Sequence, residues 1–117
     1  MKYLLILITI MLVGCATPLT PEEQKVVGSY EAKVFGKTLK WVFLDNGIVE
    51  RYSDGKKQRE FKWSIVDGEL HIDYGFRETH VWRINKDKSM TVIAEIADGK
   101  RTDIPKEDQR TFKRLKE

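Results

Sequence analysis

The chain has 117 residues, a third of them charged, and a formal net charge of +3 from 21 basic and 18 acidic side chains. That length supports one modest hydrophobic core and excludes a multidomain enzyme. So small and well mixed a charge excludes the basic footprint of a nucleic-acid binder.

Met1-Lys2 is a charged start, and Tyr3 to Val13 is an uninterrupted apolar run. The run is shorter than the roughly 20 residues a membrane helix needs. It has the form of the apolar core of an export signal. Cys15 is the only cysteine, so an exported form of this chain has no internal disulfide.

Leu12-Val13-Gly14-Cys15 places a branched apolar residue three before the cysteine and a small one directly before it. The segment resembles the lipobox of bacterial lipoproteins. The resemblance implies cleavage of residues 1–14, diacylglycerol on the Cys15 sulfur, and a lipidated tether over residues 15–20. One acyl chain binds a membrane only marginally, whereas two or three make attachment effectively permanent. Ala16 replaces the Asp that commonly retains such proteins at the inner membrane. The expected location is therefore an exported, membrane-anchored one: the outer membrane, facing the periplasm, if the cell is Gram-negative.

Residues 21–117 are expected to form a single domain. Thr20-Pro21-Glu22-Glu23 is a capping box with proline at the first helical position, and Gly28 limits the helix to about Val27. Beyond it, Asn46-Gly47, Asp54-Gly55, Asp67-Gly68 and Asp98-Gly99 are hairpin-turn dipeptides, and Gly36-Lys37 is a fifth candidate. Two-residue loops fix which residues oppose each other and so share a face. They predict Val34 opposite Leu39, Trp41 opposite Tyr52, Phe43 opposite Glu50, Glu50 opposite Arg59, Ile48 opposite Phe61, and Trp63 opposite Ile72. A three-residue connection over Gly75 to Arg77 pairs Leu70 with Trp82 and Ile72 with His80. The next strand is expected to turn Met90, Val92, Ala94 and Ile96 inward, and a last short strand lies around Thr111 to Leu115. Eight or nine sequential strands with one apolar face predict an all-β, up-and-down antiparallel meander closing into a small barrel behind a short N-terminal helix.

Val27-Gly28-Ser29-Tyr30, Phe43-Leu44-Asp45-Asn46-Gly47 and Lys62-Trp63-Ser64-Ile65-Val66-Asp67-Gly68 resemble recurrent features of bacterial lipocalin-like lipoproteins, with Tyr30 where their opening motif has tryptophan. The resemblance implies a small barrel, often with a cavity, and carries no catalytic residues.

Chemistry-bearing residues are sparse. His71, Asp73 and His80 are the only clustered metal-ligand types, but the expected register turns His71 and Asp73 outward, so no metal site is expected. Ser29, Ser53, Ser64 and Ser89 lack a nucleophile-elbow context. Glu50 and Glu78 form a carboxylate pair of the glycosidase type only in outline, so no enzyme activity and no cofactor are expected. The basic tail from Arg101 to Lys116 is diluted by interleaved acids and reads as a solvated end.

The candidate ligand-binding residues are Trp41, Glu50, Tyr52, Arg59, Trp63, His80 and Trp82: apolar walls with a few convergent polar groups. Two functions share this reading. One is a lipid-anchored, non-catalytic module holding a small amphipathic ligand weakly in a shallow barrel. The other is an envelope protein-interaction module with a filled barrel, of the inhibitor or assembly-factor type.

Overall fold

The computed structural model describes residues 18–116; the leader and Cys15 lie outside the described residues. Helix α1 (Pro21–Val26) opens on the expected capping box, with the Thr20 N–H donating to Glu23 Oε1 at 2.8 Å and the Glu23 N–H to Thr20 Oγ1 at 3.1 Å. Nine strands follow: β1 (Gly28–Val34), β2 (Lys37–Phe43), β3 (Ile48–Ser53), β4 (Lys56–Val66), β5 (Glu69–Gly75), β6 (Glu78–Ile84), β7 (Met90–Ala97), β8 (Lys100–Asp103) and β9 (Arg110–Arg114). A single turn of 3-10 helix, Lys106–Asp108, links the last two.

Consecutive strands from β1 to β7 pair antiparallel, and β9 returns between β7 and β1 to close the ring. The result is an eight-stranded antiparallel barrel. The ninth strand, β8, lies outside the ring and pairs with the second half of β7. Closure matters energetically because it leaves the ring strands no open edge.

The hairpins follow the chemistry of their turns, with instructive departures. Phe35-Gly36, Asp54-Gly55, Asp67-Gly68 and Asp98-Gly99 have positive φ at both central residues, the geometry whose twist matches that of the strands. The first turn is thus Phe35-Gly36 and not Gly36-Lys37: Val34 pairs with Lys37, Ala32 with Leu39 and Tyr30 with Trp41. The shift is by two residues, so each side chain keeps its predicted face.

At Asn46-Gly47 only the glycine has positive φ, and Leu44 bonds to Ile48 across a three-residue loop, Asp45 to Gly47. An odd loop inverts the next strand. Trp41 therefore pairs with Arg51 and Phe43 with Val49, in place of Tyr52 and Glu50. A bulge at Gln58 then inverts the phase again. Glu50 pairs with Glu60, Arg51 with Arg59, and Val49 with Phe61. The two inversions cancel. From Phe61 onward the expected register holds, including Trp63 with Ile72, Leu70 with Trp82 and Ile72 with His80. The last two pairs arise from a two-residue turn, Phe76-Arg77, plus an extra residue at Tyr74.

A further bulge, at Ile93, places Val92 opposite Trp82 but Ala94 opposite Val81 and Glu95 opposite His80. Met90 and Val92 face the core as expected, whereas Ala94 and Ile96 turn away from it and Glu95 turns in.

The core is aromatic. Tyr30, Trp41, Phe43, Phe61, Trp63, Trp82 and Phe112 are buried with Val26, Val49, Leu70, Ile72 and Met90. Their rings meet mostly edge to face, as Trp41–Trp82 at 5.1 Å and Phe43–Trp63 at 5.9 Å, the arrangement favoured by ring quadrupoles. Hairpin order sets the two ends of the barrel. The β1–β2, β3–β4, β5–β6 and β7–β8 turns crowd one end; the remaining hairpin loops and α1 occupy the other.

The helix end is capped by α1 and an arginine clamp, beside a hollow of about 400 Å³ lined by Tyr30, Ile84, Lys88 and Arg114. Arg114 donates to the carbonyls of Lys25 (2.7 Å) and Val27 (2.8 Å) and to the Tyr30 hydroxyl (2.9 Å), which itself donates to the Val26 carbonyl (2.8 Å). Gly28 is required here: its φ is +147°, and a Cβ would stand 3.0 Å from Arg114 Nη2.

Candidate functional site

The opposite end of the barrel is open, and a cleft of about 340 Å³ descends from it to the aromatic core. Its floor is Trp41, Trp82 and Phe112, with the last two rings stacked at 5.1 Å and 10°. Leu39, Val92 and Ile104 add apolar wall, and Arg51, Tyr74 and His80 bring polar groups.

The local sequence explains each placement. Arg51 reaches the interior because the odd β2–β3 loop inverts β3. Tyr74 is the bulged residue before the Gly75 turn. Glu95 points inward because Ile93 is the extra residue of β7.

On the inner wall a stack crosses three strands. The Arg59 guanidinium lies 4.8 Å over Phe61, Phe61 is 4.4 Å from Tyr74, and Tyr74 stacks on His80 at 3.7 Å and 18°. Burial pushes the Tyr74 hydroxyl up to about 12. His80 Nε2 stands 3.3 Å from Glu78 Oε1 and 3.9 Å from Glu95 Oε1. These three side chains are the group that could hold a metal ion among the described residues. They set two carboxylates beside one imidazole.

Arg51 is not matched. Among the described residues it forms no ion pair or hydrogen bond; its guanidinium lies 5.6 Å over the Trp41 ring and acts on the Tyr74 hydroxyl through its charge alone. Its Nε is buried and unpaired, as are the Nε1 donors of Trp41 and Trp82. An unpaired buried donor costs about 1–3 kcal/mol, more when charged. Glu95 and Asp108 also line the cleft, yet neither reaches this guanidinium.

Of the residues expected to bind ligand, Trp41, His80 and Trp82 converge on the cleft. Trp63 does not; it belongs to the capped end, where its Nε1 donates to the carbonyls of Leu44 (3.1 Å) and Ile48 (3.2 Å). Glu50 and Tyr52 face outward, contrary to expectation, because β3 is inverted. There Lys57 lies 2.9 Å from Glu50 and holds its carboxyl below the usual range, and the Tyr52 hydroxyl donates to Glu50 at 3.1 Å. The expected Glu50–Arg59 pair does not form. Arg59 lines a separate shallow hollow between β4 and β5 and donates to the Tyr74 carbonyl at 3.3 Å. His71 lies on the outer face, opposite Ser64 and Val81, as expected.

Arg51, Tyr74, Glu95, Asp108 and Arg110 are the polar cleft residues that the sequence reading missed. The signal for Arg51 was Gly47 in third place after Asp45-Asn46, the mark of a three-residue loop.

Fold and cleft together define a small antiparallel β-barrel with one end capped by a helix and the other opening on an aromatic floor. Comparisons with protein-family models, with curated proteins and with solved structures find no match to the chain.

Proposed function

We propose that the chain is a lipid-anchored, non-catalytic module of the cell envelope whose barrel mouth binds a small amphipathic ligand weakly. The observation that carries this reading is the cleft at the barrel mouth, apolar on its floor and walls and polar at its rim, the composition of small-molecule sites. Its volume is at the lower end for such sites, consistent with a ligand only partly enclosed. The lipobox-like Leu12-Val13-Gly14-Cys15 supports membrane anchoring. The non-catalytic reading is supported by Ser89, the buried serine, whose hydroxyl is engaged by Asp87 and Asn85 within its own loop.

Titration of the protein with fatty acids and lysophospholipids, followed by the fluorescence of Trp41 and Trp82, tests the binding reading. Micromolar or weaker binding, about −8 kcal/mol or less favourable, is expected; no response to any of them overturns it. For the anchor, Cys15→Ser should release the protein from membranes or leave an uncleaved precursor. Unchanged fractionation without an acylated N-terminal peptide overturns lipidation.

A second reading, a module that docks on another envelope protein, is favoured by Phe35 and Phe76. These rings are 94% and 100% exposed, on two turns at the open end.

A further inference from the structure

We infer that the cleft selects amphiphiles with a carboxylate head, seated against Arg51, and rejects neutral and cationic ones of the same chain length. The inference rests on the amphiphile-binding reading and deepens it.

Arg51 is a permanent cation set among apolar and aromatic side chains, and it lacks the partner that such a charge ordinarily has. The other cations near the mouth have contacts of their own: Lys57 with Glu50 and Glu60, Arg59 with the Tyr74 carbonyl, Arg101 with Glu69 and Asp103, and Arg110, which also lines the cleft, with the Phe35 ring at 5.6 Å. Of the acids near it, Glu78 and Glu95 stand 3.3 and 3.9 Å from His80 Nε2, and Asp108 lines the cleft without an ion pair to Arg51. Trp41 and Trp82, whose indole N–H groups are also buried and unpaired, form the floor of the same cleft.

A cation that no neighbouring acid reaches calls for a ligand that brings negative charge. A guanidinium fork takes a carboxylate through two parallel hydrogen bonds. The adjoining Trp82–Phe112 stack then provides apolar surface for the first methylenes of a chain. Arg51 is a positioning and selectivity residue in this scheme, and no bond is made or broken.

The test uses the full chain in zwitterionic nanodiscs, with empty nanodiscs subtracted. Octanoate, 1-octanol and octylamine are titrated while tryptophan fluorescence is followed. Octanoate should bind at least tenfold more tightly than either analogue. Arg51→Gln should remove the preference for octanoate over octanol, and Arg51→Lys should retain part of it. Far-ultraviolet circular dichroism shows whether the Gln variant keeps its fold; if it fails to fold, the three wild-type titrations still decide. Equal binding of octanoate and octanol to the wild type overturns the charge inference and leaves the amphiphile reading standing. No binding of any of the three overturns both.

Discussion

Arg114 joins the last strand to the first helix through three donated hydrogen bonds, and its guanidinium lies 5.5 Å over the Tyr30 ring. Bonds to a charged group contribute about 1.5–3 kcal/mol each at most, less where water competes. Arg114→Met should therefore cost about 2–4 kcal/mol in chemical denaturation. Gly28→Ala should cost stability too, because both φ and the space are closed to a side chain. Trp63 makes the same point within the core: Trp63→Ala should cost about 3–5 kcal/mol, whereas Lys62→Ala, on the outer face, should cost little. Equal losses would mean that the face assignment is wrong. Tyr74 gives a pH signature. Its folded value of about 12 lies above the ordinary value of 10.0, so burial favours the neutral form. The associated stability is fully present below pH 10 and is lost as pH rises from there to about 12. Tyr74→Phe should flatten the alkaline limb of the stability curve, and an unchanged limb would assign it to another group. Trp41, Trp82 and His80 were legible as cleft residues because three tryptophans in alternating strands have only one face to occupy. Arg51 was not, because Ile48-Val49 offers an apolar residue in either phase.

At the level of hairpins, most turns carry the residues their backbone demands, and two do not. Phe35 and Phe76 sit at φ of +52° and +51°, a region that bulky residues seldom adopt and that costs of order 1–3 kcal/mol. Neither ring is buried in return. Asp54 and Asp98 occupy the equivalent position in the other turns of that end. Phe35→Asn and Phe76→Asn should each raise stability by about 0.5–1 kcal/mol in thermal or urea unfolding; a loss at Phe35 would mean that the Arg110 guanidinium, 5.6 Å over its ring, outweighs the strain, and a loss at Phe76 that its ring makes contacts in solution that the barrel does not show. Hairpin register was legible wherever the turn alone sets it, as at Asp67-Gly68. It was hidden where bulges intervene, since Gln58 and Ile93 carry no turn residue to announce an extra position. The odd loop before β3 and the bulge after it cancel. The aromatic face beyond Phe61 was thus read in its true phase even though β3 was not.

Taken as a whole, the barrel spends its aromatic volume unevenly. The helix end holds Tyr30, Phe43 and Trp63 under α1 and the Arg114 clamp, while the turn end leaves a cleft above Trp41, Trp82 and Phe112. The meander and its closure were legible from alternation and turn spacing. The insertion of β9 between β7 and β1 was not, because local pattern carries no record of which edge a returning strand finds. The three tryptophans divide between the two ends and can report on them separately. The decisive measurement is the indole N–H spectrum of ¹⁵N-labelled protein during titration with octanoate. The Trp41 and Trp82 resonances should move together and saturate, while that of Trp63, held by Leu44 and Ile48, stays in place. Movement of Trp63 equal to the others, or no movement of any, would contradict a barrel that binds its ligand at one open end.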